Sequence, residues 1–217
     1  MRKVPVVENL LKLNDEVAAL NRARFRESGV FVIDLIGASG CGKTSLLETT
    51  LRDLDGAVRT GVLVGDLTTA RDADRLARWC DQVVQINTGR GCHLEAHQVR
   101  RALDQIDLAS LQLLIIENVG NLICPVGFDL GQDVTVGMFS VTEGDDKPAK
   151  HPYLVHEASL LILGKVDLLP HVTFDCEAFR RDVLRLNPHQ EIIETSASAD
   201  DVEPWLQWLR DRIDAAG

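Results

Sequence analysis

Residues 37–44 read Gly-Ala-Ser-Gly-Cys-Gly-Lys-Thr. They follow the apolar run Val30-Phe31-Val32-Ile33-Asp34-Leu35-Ile36 and precede Ser45-Leu46-Leu47-Glu48. The pattern G-x-x-x-x-G-K-[ST] between a buried-type strand and a helix marks a phosphate-binding loop. Glycines let the backbone curl so that several N–H groups converge on phosphate oxygens, and the helix N-terminus adds partial positive charge. The loop offers Gly37, Ser39, Gly40, Cys41, Gly42, Lys43, Thr44 and Ser45 to a nucleotide. Lys43 is placed to reach the β- and γ-phosphates, and the Thr44 hydroxyl to bind Mg²⁺.

A loop of this kind needs a sheet behind it, and the remaining pattern supplies one. Strand-like runs lie at 30–36, 57–64, 82–86, 111–116, 134–141 and 160–163. Helical spacing lies near 43–53, 69–79, 94–106, 176–186 and 202–213. Several strands are almost continuously apolar, as when helices cover both faces of a parallel sheet. The expected fold is therefore α/β: a P-loop NTPase with a mostly parallel sheet and helices on both faces. Residues 1–28 read as an amphipathic N-terminal helix packed on the domain, with Val7, Leu10, Leu11, Val17 and Leu20 at broadly helical spacing. Residues 29–217 read as the P-loop domain, and the whole chain as a single domain. The polar stretch 144–152, with Asp145, Asp146, Lys147 and Lys150, reads as a mobile loop.

The net charge of -10 argues against a nucleic-acid partner, which needs clustered Lys and Arg. No apolar stretch approaches the roughly 18 residues that span a bilayer, and no signal core opens the chain, so no membrane role is expected. The five cysteines are Cys41, Cys80, Cys92, Cys124 and Cys176. An odd count without a leader predicts reduced thiols and a cytoplasmic protein.

Two acids complete a candidate catalytic set with Lys43. Asp66 stands in Gly65-Asp66-Leu67-Thr68-Thr69, and Glu117 follows Leu113-Leu114-Ile115-Ile116. Both are expected at carboxyl ends of parallel strands beside the phosphate loop. Asp66 would join Thr44 on Mg²⁺. Helix capping or turn chemistry is the alternative for both acids. Leu163-Gly164-Lys165-Val166-Asp167 resembles the guanine-reading N-K-x-D element. There an Asp carboxylate accepts from the base N1–H and exocyclic amine, donors that adenine does not offer together, so GTP/GDP is favoured over ATP. Gly164 stands in place of the Asn, which removes side-chain hydrogen bonds and lowers the expected selectivity. A strand-end turn with solvated Lys165 and Asp167 is the alternative. Thr195-Ser196-Ala197 follows Glu191-Ile192-Ile193, and the backbone N–H groups of Ser196 and Ala197 are placed to close the base pocket.

Thr88-Gly89-Arg90-Gly91-Cys92-His93-Leu94-Glu95-Ala96-His97 follows one strand, and Asn118-Val119-Gly120-Asn121-Leu122-Ile123-Cys124-Pro125 follows Glu117. On a parallel sheet, Cys92, His93 and Cys124 emerge on the same edge as the phosphate loop. Thiolate and imidazole suit Ni²⁺ or Zn²⁺. Three ligands leave a position for water, Glu95, His97 or a second subunit. Spacing alone leaves small packing thiols and a capping histidine equally open. Cys41, Cys80 and Cys176 lack comparable partners and read as packing residues.

Taken together, these motifs resemble the HypB family, the GTPases that assist nickel insertion during [NiFe]-hydrogenase maturation. The phosphate loop, 65–69, 88–96 and 117–125 stand in the family's order. So do Ser140-Val141-Thr142-Glu143-Gly144-Asp145-Asp146-Lys147-Pro148 and Lys165-Val166-Asp167-Leu168-Leu169-Pro170. The resemblance spans residues 6–208. It implies nucleotide contacts from Gly40, Gly42, Lys43, Thr44 and Asp167, and magnesium or water-handling roles for Asp66 and Glu117. It implies Cys92, His93 and Cys124 as Ni²⁺ or Zn²⁺ ligands at a nucleotide-dependent homodimer interface, with slow intrinsic turnover. A HypA-type nickel chaperone and a hydrogenase large-subunit precursor are the implied partners. Many relatives carry an N-terminal Cys-rich nickel motif or a His-rich stretch, but no Cys precedes Cys41 here and no His precedes His93. High-affinity nickel storage is therefore not expected. The alternatives are a metal carrier with a vestigial nucleotide site, a urease-accessory GTPase of the UreG type, and a small-molecule P-loop kinase, for which no acceptor site is legible.

Overall fold

The computed structural model describes residues 6–66, 71–89 and 91–216. Seven strands form one sheet: β1 Phe31–Gly37, β2 Thr60–Asp66, β3 Val83–Asn87, β4 Leu113–Glu117, β5 Val134–Ser140, β6 Leu160–Gly164 and β7 Ile192–Glu194. Their order is β3-β2-β4-β1-β5-β6-β7. Every pairing is parallel. The chain therefore adopts the expected α/β fold with an all-parallel sheet. β1 sits centrally between β4 and β5, where the strand order reverses, and ligands of open α/β sheets bind outside the carboxyl ends at such a point.

The helices are α1 Val6–Ser28, α2 Lys43–Leu54, α3 Arg71–Leu76, α4 Ala96–Ala102, α5 Lys147–Lys150, α6 Pro152–Glu157, α7 Cys176–Leu186 and α8 Glu203–Ala216. Alternation along β1 sends Ile33 and Leu35 to one face, with Leu46, Leu47 and Leu51 of α2 and Trp205 and Leu209 of α8. Val32 faces the other side, with Phe25 of α1 and Val99 of α4. Asp34 shares the face of Val32 and Ile36 and is 1% exposed, a buried carboxylate inside an apolar strand. β1 contributes to the core on both faces, which explains its unbroken burial.

Several boundaries differ from the sequence expectation. β2 begins at Thr60 rather than 57, because Ala57 and Val58 close the end of α2 by donating to the Leu54 carbonyl. The helix expected over 94–106 is α4 followed by a short 3-10 turn, Leu103–Gln105. The polar stretch 144–152 carries α5 and leads into α6, with Pro148 and Pro152 in their first turns. Proline suits that place because its missing N–H would have no helical partner there.

The inward stripe of α1 continues the spacing of Val7 and Leu11 but carries polar side chains where apolar ones were expected, and Leu20 falls off it. Its buried side chains are Asn14, Ala18, Asn21 and Phe25, whereas Leu20 is 53% exposed. The side chains of Val7 and Leu10 lie outside the described residues. Asn14 accepts from Ala96 N–H and donates to the Asp129 carbonyl. Asn21 donates to the carbonyls of Ala96 and Leu130. Buried backbone groups require partners, and the two amides supply them across the start of α4. Apolar periodicity could not reveal a helix face docked through asparagine.

Candidate functional site

The loop after β1 wraps a cavity of about 300 Å³. Gly40 and Gly42 have φ of 77° and 113°, in the left-handed region that favours glycine. Lys43 Nζ donates to the carbonyls of Gly37 (3.0 Å) and Ala38 (3.2 Å). Ser39, Gly40, Gly42, Lys43, Thr44 and Ser45 line the cavity from the loop, and Asp66, Glu117 and Lys165 reach it from other strand ends. Cys41 is buried, and burial pushes its thiol up to about 11, so it packs as a neutral group.

The register of the sheet delivers the acids. Glu117 stands opposite Leu35 on β1 and Val64 on β2, and Leu35 lies just before the phosphate motif that starts at Gly37. It is 4% exposed, and Thr44 Oγ1 donates to its Oε1 at 2.8 Å. Its Oε2 is buried with no partner among the described residues. Burial pushes the Glu117 carboxyl up to about 7, against the pull of the nearby Lys43 charge. Asp66 ends β2, and its carbonyl accepts from Thr88 N–H at 2.9 Å. Leu67, Thr68 and Thr69 of that motif, the start of the helix expected from 69, and Arg90 lie outside the described residues.

A second cavity of about 370 Å³ shares Gly42, Ser45 and Lys165 with the first and extends it. Leu46, Met138, Asp167, Leu168, Thr195, Ala197 and Ser198 line the extension. Lys165 adopts φ of 61°, uncommon for a side chain with a Cβ, and its Nζ donates to the Gly40 carbonyl at 2.6 Å. Asp167 accepts from Ser196 Oγ at Oδ1 (2.5 Å) and from Ser198 Oγ at Oδ2 (2.9 Å). The Ser196 hydroxyl holds that carboxyl below the usual range. The backbone N–H of Ser196 donates to the Asp201 carbonyl instead of facing the pocket. Its expected backbone role is therefore replaced by a hydroxyl that positions Asp167.

On the same edge, the ligand atoms of Cys92, His93 and Cys124 all lie within 4.8 Å of one another. Cys92 Sγ is 3.6 Å from His93 Nδ1, and the Phe128 ring lies 3.9 Å from the imidazole, centroid to centroid. His93 Nε2 is buried with no partner among the described residues. A hydrogen bond with Cys124 raises the Cys92 thiol, and burial lowers the His93 imidazole. Once metal displaces the thiol protons, the soft thiolate–imidazole donor set fits a borderline cation such as Ni²⁺ or Zn²⁺. Glu95 is committed elsewhere. Its side chain caps α4 in a box with Gln98, and its carboxylate sits 3.2 Å from His97 Nδ1. Cys80 donates to the Thr60 carbonyl at the far end of the sheet.

Two asparagines that motif reading passed over join the sites. Asn118 is 1% exposed, and its Oδ1 accepts from Leu94 N–H (3.1 Å) and Val119 N–H (3.0 Å). Its Nδ2 donates to Asp34 at 3.0 and 3.2 Å. Asn121 N–H donates to the Gly37 carbonyl, its Nδ2 to the Cys92 carbonyl, and its Oδ1 accepts from Ile123 and Cys124 N–H. Gly120 packs so closely on the phosphate loop that a Cβ would fall 2.8 Å from Ser39 Cα. Asp72 and Arg75 of α3 also line the phosphate cavity, with Arg75 paired to Glu48 and donating to Ser45 Oγ. Adjacency to Glu117 was the only sequence signal for Asn118, and nothing marked Arg75.

Residues 31–194 match the nucleotide-binding domain model of CobW/HypB/UreG. The chain is 46% identical to hydrogenase maturation factor HypB of Azotobacter vinelandii, over 99% of this chain and 74% of that protein. It belongs to the HypB family. The crystal structure of HypB from Archaeoglobus fulgidus superposes with a TM-score of 0.87 at 39% identity, covering 93% of this chain and 99% of the other. HypB from Helicobacter pylori in complex with nickel gives 0.88 at 35% identity, covering 93% and 95%. With the P-loop fold, membership identifies a GTPase-family hydrogenase maturation factor with a nucleotide-binding domain. No helix among the described residues is long and apolar enough to cross a membrane.

Proposed function

We propose that this protein binds and hydrolyses GTP and uses the nucleotide state to control nickel held by Cys92, His93 and Cys124. The observation that carries the reading is the loop 118–124. It is hydrogen-bonded to Gly37 of the phosphate loop and to Cys92 of the metal cluster, and Cys124 lies at its end. Lys43 neutralises the β- and γ-phosphates, and Gly40, Gly42 and their neighbours supply backbone donors. The Thr44 hydroxyl and Asp66 would hold Mg²⁺, which would supply positive charge to offset the charge that develops on the phosphates. The Glu117 Oε2, buried with no donor among the described residues, supports a water-orienting role. Asp167, preset by Ser196 and Ser198, reads the guanine N1–H and exocyclic amine.

Three soft ligands leave nickel, or zinc, a position open to a second subunit, which favours transfer over permanent holding. The nickel in the Helicobacter pylori relative supports nickel as cargo. A nucleotide- or metal-dependent homodimer, a HypA-type nickel chaperone, a hydrogenase large-subunit precursor and a cytoplasmic setting complete the reading. Because the loop 118–124 touches both sites, a γ-phosphate acting on Glu117 repositions Cys124 against Cys92 and His93. Metal then changes nucleotide affinity by the same factor. Ni²⁺ titration in the GDP state and with a non-hydrolysable GTP analogue tests this. Affinities are expected to differ by ~1–3 kcal/mol, the usual size of such couplings, with Glu117→Gln abolishing the difference. Equal affinities in wild type would leave two independent sites.

A further inference from the structure

Helix α1 grips both runs of chain that bring the cysteine–histidine cluster together. One is 92–96, which carries Cys92 and His93 and enters α4 at Ala96. The other is 124–131, which starts at Cys124. Asn14 and Asn21 stand two turns apart on one face of α1, and each side-chain amide bridges the two runs. Asn14 Oδ1 accepts from Ala96 N–H at 2.8 Å, and its Nδ2 donates to the Asp129 carbonyl at 2.7 Å. Asn21 Nδ2 donates to the Ala96 carbonyl at 2.9 Å and to the Leu130 carbonyl at 3.0 Å. Arg22 adds a two-pronged ion pair to the Asp129 carboxylate at 2.7 and 2.8 Å. The contact is backbone on backbone. A Cβ at Gly131 would fall 2.8 Å from the Ala18 carbonyl oxygen and 2.8 Å from the Arg22 nitrogen, so only glycine lets the second run lie this close to α1.

The gripped points stand near the ligands. Ala96 follows His93 by one short stretch, and between Cys124 and Asp129 the chain turns with Phe128 N–H on the Pro125 carbonyl at 3.1 Å. That turn sets the Phe128 ring against the His93 imidazole, so the Cys124 run touches the histidine of the other run directly.

We propose that α1 is a clamp on the metal site: Asn14, Asn21 and Arg22 are positioning residues that fix the spacing of the two ligand runs, so that docking of α1 sets how tightly Cys92, His93 and Cys124 hold Ni²⁺ or Zn²⁺. This rests on the metal reading above and adds a control that does not pass through the nucleotide. Asn118 and Asn121 hold the Cys92 run from the end of β4, through Leu94 N–H and the Cys92 carbonyl. The amides of α1 hold it at Ala96 and tie it there to the far end of the Cys124 run. A site assembled from two runs binds only when both are in place, and its apparent affinity falls with the fraction of molecules so arranged. Loosening the clamp lowers that fraction. Linkage makes the effect reciprocal, so a bound metal holds α1 more firmly on the domain.

The test uses the full chain, free of nucleotide, with Ni²⁺ or Zn²⁺ alone. Affinity is read by competition with a chromophoric chelator, and amide hydrogen exchange is followed along residues 14–25 with and without Zn²⁺. The variants are Asn21→Ala, Arg22→Ala, Arg22→Lys and Cys92→Ala, with thermal melts and metal-free GDP binding reporting an intact domain. Asn21→Ala removes two bridging hydrogen bonds and is expected to weaken Ni²⁺ binding about tenfold. Arg22→Ala should weaken it roughly threefold, with Arg22→Lys recovering most of the loss. Zn²⁺ should slow exchange along α1 in wild type and leave it unchanged in Cys92→Ala. Should Asn21→Ala not fold, the Arg22 pair and the exchange measurement decide alone. A folded Asn21→Ala or Arg22→Ala protein that binds Ni²⁺ as wild type does overturns the clamp and leaves the metal site standing. So does α1 exchange that ignores Zn²⁺ in a wild type that binds it. Equal metal binding by wild type and Cys92→Ala overturns the metal reading and the clamp together.

Discussion

Asn118→Asp offers a direct test of the buried polar centre behind both sites. The change keeps the oxygen that accepts from Leu94 and Val119 N–H, but it replaces the amide donor facing Asp34 with a second carboxylate oxygen. The two carboxylates would then meet at the present separations of 3.0 and 3.2 Å. At an effective dielectric of about 20, two charges about 3 Å apart repel by ~5 kcal/mol. A proton is the cheaper solution, because burial already pushes the Asp34 carboxyl up to about 7. A raised carboxylate means that the native state holds a proton the unfolded chain releases. The associated stability is present at low pH and is lost as pH rises toward 7. Wild type and variant share that slope below pH 7. Above it, Asp34 ionises in wild type and its contribution levels off. The variant must keep its shared proton and goes on losing ~1.4 kcal/mol per pH unit. Between pH 7 and 9 the extra loss amounts to ~3 kcal/mol. Urea unfolding from pH 5 to 9, followed through the buried Trp205 and Trp208, measures it. Asp34→Asn/Asn118→Asp exchanges donor and acceptor and should remove the extra slope. A pH-independent difference between Asn118→Asp and wild type, or a slope that survives the exchange, would refute the reasoning.

Cys92→Ala and Cys124→Ala should each abolish tight Ni²⁺ or Zn²⁺ binding while Cys80→Ala and Cys176→Ala retain it, as metal stoichiometry by elemental analysis will report; retained stoichiometry in Cys92→Ala would sink the site. Asp167→Ala should bring GDP affinity down to that for ADP, a loss of ~3–6 kcal/mol for two hydrogen bonds to a charged acceptor, read by competition with a fluorescent nucleotide.

The phosphate loop, the parallel α/β architecture and the cysteine–histidine cluster were legible in the sequence because each rests on local covalent order. A glycine pattern sets a turn, and continuous apolar runs set buried strands. Adjacent Cys92 and His93 need only one further ligand from a neighbouring strand end. Gly164 was visible as a departure, but its contact with Met138 was not, since the two meet only through the pairing of β5 with its neighbours. The polar part of the α1 docking face was not legible for a related reason. Hydrophobic spacing records affinity for a core, whereas Asn14 and Asn21 are buried to satisfy backbone groups of residues 96 to 130. The same limit applies to Asp34, Asn118 and Asn121. Polar side chains carry no periodicity, and their partners lie up to 84 positions away. Only the folded sheet, by placing β1 beside β4, turns an aspartate and an asparagine into the buried joint between the nucleotide loop and the cysteine–histidine cluster.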